Sequence, residues 1–363
     1  MPVFSSIVNN LPFMVPFMAP EALERLLGRP MELRLGANES NFGVSPFAAE
    51  EMVKAMEKIG WYCDPECFEL REELAFLHGV TRENIVVGSG LDDVLSLCAR
   101  CFLDPGDHAV NSLGGYPTFN YGVQGAGGVL DLVPYKNDRT DLLGLCEVAR
   151  SVGAKLLFVA NPDNPSGTWH SAAAIAELIE NLPPECILLL DEAYSDFAPP
   201  EAIPQINVAD ERVIRLRTFS KAHGMAGARV GYAIASAEII ASFNKIRMHF
   251  GVNLVGQTGA LASLRDPGFI LGVINEVERG RTEYHMLAAS HGLETLPSAT
   301  NFVAIDMGSF EKAKATLDAM LKRGVFIRMP GAAPLNRCIR VTVGTESERK
   351  RFGEEFATVL LTS

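Results

Sequence analysis

Positive charge is the scarce commodity in this chain. Lys and Arg number 32 against 44 Asp and Glu, a net charge of −12, and no basic run offsets that locally. A surface so negative repels phosphate backbones, which excludes nucleic acid as a partner. Also missing is a basic lead-in to the apolar opening MPVFSSIVNNLPFMVPFMAP: no positive charge precedes Arg25, and Pro12, Pro16 and Pro20 interrupt it. That opening is read as neither a secretory leader nor a membrane span, and instead as an arm lying across its own domain or a partner subunit. The seven cysteines are an odd count which, with no secretory leader, points to free thiols in a reducing, cytoplasmic compartment. Cys98 and Cys101 form a CxxC inside an amphipathic helical pattern with no second pair to match it. Helix packing is expected there, and no metal site. Internal repeats and low-complexity tracts are absent.

What is present is a large soluble core. Of 363 residues, 48% are hydrophobic and 21% charged, which suits about two domains. Short apolar runs alternate with helical spacing: IVVG (85–88), HAVNS (108–112), VLDLV (129–133), KLLFVA (155–160), CILLL (186–190), VIRLR (213–217) and VGYAIA (230–235). Strands alternating with helices predict an α/β domain whose mainly parallel seven-stranded sheet is covered on both faces. Runs apolar at every position fit such burial. VIRLR fits it poorly, because Arg215 and Arg217 need partners or an exposed edge. Beyond residue 260 come a helix at 267–290, a strand at 301–306, a helix at 310–323, the short strands VFIR and CIRVTV, and a last helix. These predict a smaller α+β C-terminal domain packed with the arm. The expected division is an arm (1–37), a large domain (38–260) and a small domain (261–363).

In open parallel sheets, ligands bind in the crevice beyond the strands' carboxyl ends. Gly88-Ser-Gly90-Leu91-Asp92 follows IVVG and opens a helix with apolar residues at 91, 94, 95 and 98. Glycines before a helix let main-chain N–H groups approach a phosphate, although a plain tight turn uses the same residues. Asp92 and Asp93 stand in that first turn, so an anion should meet amides, with both carboxylates turned away. Asn161-Pro-Asp-Asn164-Pro-Ser-Gly167 is a rigid turn that puts two asparagines at the end of KLLFVA. Asp191 directly follows CILLL and is costly to bury unpaired; a protonated ring nitrogen, an arginine or a helix cap would each serve. One loop after VIRLR carries Thr218, Ser220, Lys221 and Arg229. It offers an amine for a Schiff base together with hydroxyls and a guanidinium for a phosphate.

GANES (36–40), GSGLDD, YPTF, NPDNPSG, DEAY, TFSKAHGMAGARVGY and CIRVTVG (338–344) occur in this order. With them the chain resembles the fold-type-I aminotransferases, in particular the histidinol-phosphate aminotransferase branch, over nearly its whole length. The resemblance implies pyridoxal 5′-phosphate as cofactor, held by Lys221 as a Schiff base, with Lys221 then moving a proton. Asp191 would keep the ring nitrogen protonated, and Asn164 and Tyr194 would bond the phenolic oxygen. Phe119 would lie on the ring face. Leu91, Asp92, Thr218, Ser220 and Arg229 would hold the phosphate, joined by Tyr62 from the neighbouring subunit of a homodimer with shared active sites. Arg340, Arg328 and Asn38 would bind substrate. Four departures from the family's pattern bear on the substrate: Phe17 where a tyrosine is usual, Ser40-Asn41 after Asn38-Glu39, Cys63 for proline, and His223 for an aromatic.

The implied reaction is ping-pong transfer of an amino group between an amino donor and a 2-oxo acid, with histidinol phosphate as first choice and a place in histidine and amino-acid biosynthesis. An aromatic or other amino-acid aminotransferase, or a decarboxylase of amino-acid phosphates, would use the same cofactor residues. A nicotinamide-binding dehydrogenase fits poorly, because GSGLDD is not GxGxxG. A cofactor-sensing DNA-binding protein fits no better in so acidic a chain.

Overall fold

The computed structural model describes residues 3–12 and 18–362. Its strands are β1 (Leu33–Arg34), β2 (Ile85–Gly88), β3 (His108–Ser112), β4 (Val129–Val133), β5 (Leu156–Ala160), β6 (Ile187–Asp191), β7 (Val213–Thr218), β8 (Gly231–Ile234), β9 (Glu294–Thr295), β10 (Phe302–Asp306), β11 (Val325–Phe326) and β12 (Cys338–Thr342). Seven of them form the large sheet, in the order β2-β8-β7-β6-β5-β3-β4. The seven apolar runs of the sequence are its seven strands. All run parallel except β8, which opposes both β2 and β7. A parallel return needs a crossover, usually a helix. The link from β7 to β8 contains only the 3-10 turn Ala226–Ala228, so the chain comes back antiparallel and leaves the Lys221 loop at the sheet's carboxyl end.

β5 is buried along its whole length, as a central strand covered by helices on both faces must be. The misfit arginines of β7 are explained by a buried carboxylate. Arg215 and Arg217 both donate to Glu192, Arg215 through Nε at 2.9 Å and through Nη2, and Arg217 through Nε at 3.0 Å. Glu192 is fully enclosed. It follows Asp191 on the opposite face of the strand, so the triad anchors the backbone that presents Asp191. Removing one member of a buried triad leaves an uncompensated charge, at a cost of about 3–5 kcal/mol.

The smaller sheet has antiparallel order β12-β10-β9, while β1 of the arm pairs with β11. Leu33 and Leu35 therefore enter one core with Val277, Phe302, Val341 and Phe352. Tyr194, Phe197 and Ala222 from the large-sheet side join the same cluster. The small body thus packs directly on the loops that end β6 and β7.

Candidate active site

The carboxyl ends of β2, β5, β6 and β7 open into a cavity of about 760 Å³, closed on its far side by residues of β12 and the arm. Lys221 projects into it, its Nζ donating to the Asn38 carbonyl oxygen at 3.0 Å and lying 5.5 Å from the Tyr194 ring centroid. Burial, helped by the positive charge of Arg340, pushes its ammonium down to about 8 against the pull of Glu39 and Asp191. Roughly a tenth of it is therefore free amine at pH 7, a usable nucleophile and base.

Asp191 ends β6 with its side chain buried. Burial raises its carboxyl to about 7, while the Ala193 N–H, at 2.9 Å from Oδ1, and the charge of Lys221 pull the other way. Among the described residues that N–H is the carboxylate's one hydrogen-bond donor. A cationic N–H entering the cavity would find an acceptor whose ionisation it stabilises.

An anion cradle lies beside them. Gly90 caps the helix Leu91–Phe102 at φ +81°, and a Cβ there would stand 2.2 Å from Arg229 Nη2. A Cβ on Gly231 would meet the Leu91 amide nitrogen at 2.8 Å. Only glycine leaves the first-turn amides of Leu91 and Asp92 open to a ligand. Thr218 Oγ1 donates to Ser220 Oγ at 3.0 Å and accepts from the Ser220 amide at 3.1 Å. Arg229, at φ +57°, is steadied by the Ala226 carbonyl at 3.0 Å. The two acidic side chains of the turn part ways. Asp93 accepts from the Ser89 amide at 2.9 Å, turned back as expected. Asp92 instead faces the cavity between Arg229 Nη2 (3.3 Å) and the Tyr116 hydroxyl (2.9 Å).

At the other end, Arg340 Nη1 donates to Asn164 Oδ1 at 2.5 Å and Nη2 to the Gly36 carbonyl at 3.1 Å, while Nε is buried without a partner. Burial lowers this guanidinium to about 10, with Tyr194, Tyr116 and Asp163 offsetting the effect in part. It stays charged at neutral pH and lacks a full counter-charge. Arg328 shares a backbone bridge with Arg340 and donates through Nη2 to the Met18 carbonyl at 3.1 Å. Asn38 Nδ2 donates to the Tyr194 hydroxyl at 2.9 Å, a phenol that burial raises to about 12 and so keeps protonated.

Two expected site residues are absent from the cavity wall. Phe119 is fully buried and stacks on Phe158 at 5.0 Å within the large core. This corrects its expected place on a ring face. It sits on the inward side of the helix Pro117–Gly125, whereas Tyr116, just before that helix, lines the cavity. The signal was available in Tyr-Pro, since the residue before a proline is kept out of the helix at the loop's tip. Tyr62 is 85% exposed, its ring tilted against that of Phe250 with centroids 4.8 Å apart, and it lies outside this chain's own cavity. Pro16 and Phe17 lie outside the described residues. Cys63 and His223 make internal contacts, to the Val252 carbonyl and the Ser263 hydroxyl. Sequence reasoning passed over Tyr116, Glu39 and Arg34, all on the cavity wall.

The cradle, the buried Asp191 carboxylate without a cationic donor and the low-pKa amine fit the phosphate, ring nitrogen and aldehyde of pyridoxal 5′-phosphate. Known proteins point the same way. The family model for aminotransferase class I and II matches residues 30–356. Histidinol-phosphate aminotransferase 2 of Carboxydothermus hydrogenoformans is 34% identical over 97% of this chain and 98% of its own length. The Moorella thermoacetica histidinol-phosphate aminotransferase is 34% identical over 93% of this chain and 88% of its own. The solved structure of the Sinorhizobium meliloti histidinol-phosphate aminotransferase in complex with pyridoxal-5′-phosphate is 42% identical. It superposes with a TM-score of 0.96 over 99% of this chain and 98% of that one.

Proposed function

We propose, from the premise that this chain belongs to the aminotransferase class I and II family and is a pyridoxal-phosphate-dependent transaminase, that it moves an amino group between histidinol phosphate and a 2-oxo acid. The observation that calls for an anionic group on the substrate is the second anion site, and similarity to histidinol-phosphate aminotransferases supports a phosphate as that group. Arg340 and Arg328 stand together at the end of the cavity remote from the Gly90 cradle, with a buried guanidinium nitrogen unpartnered. A cofactor phosphate in the cradle leaves this pair for an anion of the substrate, and a guanidinium fork suits a phosphate or a carboxylate alike. The same pair can therefore serve the amino-alcohol phosphate in one half of the cycle and the oxo acid in the other.

When bound, pyridoxal phosphate supplies a carbonyl carbon that condenses with primary amines and a protonated ring that draws electrons from the amine-bearing carbon. The chain's own groups do the rest. Asp191 holds the ring N–H through its carboxylate. Tyr194 and Asn164 offer an O–H and an amide to the phenolic oxygen. Thr218, Ser220, Arg229 and the Leu91 and Asp92 amides hold the phosphate, and Tyr116 borders the ring's space. Lys221 Nζ would be the base that takes the proton from the amine-bearing carbon. Asn38 steadies Tyr194.

The proposal extends to the assembly. Trp61, Tyr62, Met248 and Phe250 are all exposed, an apolar surface that a second copy would cover, bringing Tyr62 to the partner's cradle. Among the described residues no helix is long and apolar enough to cross a membrane, and we place the enzyme in the cytoplasm. The division into arm, large and small domains at residues 37 and 260 belongs to the same reading.

A spectrophotometric half-reaction screen tests the substrate. Histidinol phosphate should bleach the lysine-linked cofactor's visible band and release an oxo product. Aromatic amino acids converting far faster, or carbon dioxide released from an amino-acid phosphate, would overturn the choice. Arg340→Ala should lower kcat/KM for the phosphorylated donor by about 10²- to 10³-fold, with cofactor retained at wild-type stoichiometry.

A further inference from the structure

The turn after β4 has a feature that cofactor and substrate contacts leave unexplained. Two consecutive non-glycine residues, Asn137 and Asp138, are held at φ 52° and 61°, a conformation side chains rarely adopt. Lys136 and Arg139 close the turn through paired backbone bonds of 2.9 and 3.1 Å. The result is to present Asp138 to the small sheet. There Arg337, immediately before β12, grips it in parallel, Nη1 to Oδ1 at 2.9 Å and Nη2 to Oδ2 at 2.8 Å. The same guanidinium is locked from behind by Asp306 at 2.7 Å and the Pro334 carbonyl at 2.8 Å.

The same segment holds the other side of the cavity too. Tyr135 is buried against Leu296, Ala304, Leu335 and Cys338 of the small body. Its hydroxyl donates to the Asp163 carboxylate, at 3.0 and 3.2 Å from the two oxygens. Asp163 immediately precedes Asn164, and Arg337 stands three residues before Arg340 on the strand. Residues 135–138 thus anchor both backbones whose side chains meet in the 2.5 Å Arg340–Asn164 contact. A two-pronged arginine–carboxylate bond fixes direction as well as distance, which suits it to setting register between two packed bodies.

We propose that the Asp138–Arg337 pair is a positioning clamp that sets where Arg340 stands relative to Asn164 and so tunes affinity for the substrate's anionic group. The clamp touches neither substrate nor cofactor, and its role rests on the reading of Arg340 as the anion ligand.

The test uses cofactor-loaded enzyme in four forms: Asp138→Arg, Arg337→Asp, the double charge swap, and Arg340→Ala. KM and kcat for histidinol phosphate, the Kd of inorganic phosphate by calorimetry, and the thermal midpoint are measured for each. Each single reversal should raise KM and the phosphate Kd by about 3- to 30-fold while kcat stays within about twofold, and the swap should recover a measurable part of the loss, the remainder reflecting the carboxylate that position 337 then turns toward Asp306. Asp138→Asn, the milder change, should move KM the same way if a reversal fails to fold. Singles that lower the thermal midpoint with KM and Kd unchanged, or a swap that restores the midpoint without the affinity, overturn the clamp. Arg340→Ala with undiminished phosphate affinity would instead sink the reading of Arg340, and the clamp with it.

Discussion

Lys221→Ala is expected to cut turnover by about 10⁴-fold or more, because one side chain supplies both the amine that links to the cofactor and the base that moves the proton. Cofactor should still bind through the Gly90 cradle, with its absorption changed to that of the free aldehyde. Wild-type rates in this variant would refute the assignment outright. A second readout comes from ligand-free protein. The folded pKa of Lys221 is about 8, below its unfolded value of roughly 10.4, so the protonated amine destabilises the fold below pH 8. That penalty fades as pH climbs from about 8 to about 10.4. Lys221→Met should therefore be more stable than wild type below pH 8, by up to about 3 kcal/mol, with the gap closing above it. Denaturant midpoints across this range check the sign.

Asp191→Asn should lower kcat by roughly 10²- to 10⁴-fold with cofactor still bound, since an amide of the same shape cannot stabilise a positive ring nitrogen. Because packing hardly changes, the loss isolates charge. The ligand-free protein offers an opposite effect. The folded carboxyl, at about 7, lies above its unfolded value of about 3.9, so the penalty for burying the ion is absent below pH 4 and complete above pH 7. The asparagine variant should gain on wild type as pH rises from about 4 to 7, by up to about 4 kcal/mol. Adding cofactor should reverse the order, because the ring N–H gives the carboxylate its missing partner. A variant with unchanged kcat would remove Asp191 from the chemistry.

Much of this was legible in one dimension. The central strands of the large sheet announced themselves because a strand buried on both faces must be apolar at nearly every position, as Leu156–Ala160 is. The polar residues that break those runs, Asp191 after β6 and the Thr218–Arg229 loop after β7, stood out for the same reason. Phe119 shows where such reasoning slips. The motif Tyr-Pro-Thr-Phe contains two aromatics, and which of them faces the cavity depends on where the helix begins. Arg215 and Arg217 looked like errors in a core strand until the chain folded Glu192 against them.

The order of apolar runs and the chemistry at their ends, then, belong to the sequence itself, because burial and charge act residue by residue on a local pattern. Which groups meet belongs to the tertiary structure. The Arg340–Asn164 and Asp138–Arg337 contacts join residues 176 and 199 positions apart. Nothing local encodes such distances; only the packing of the small sheet on the large one brings those side chains within bonding range.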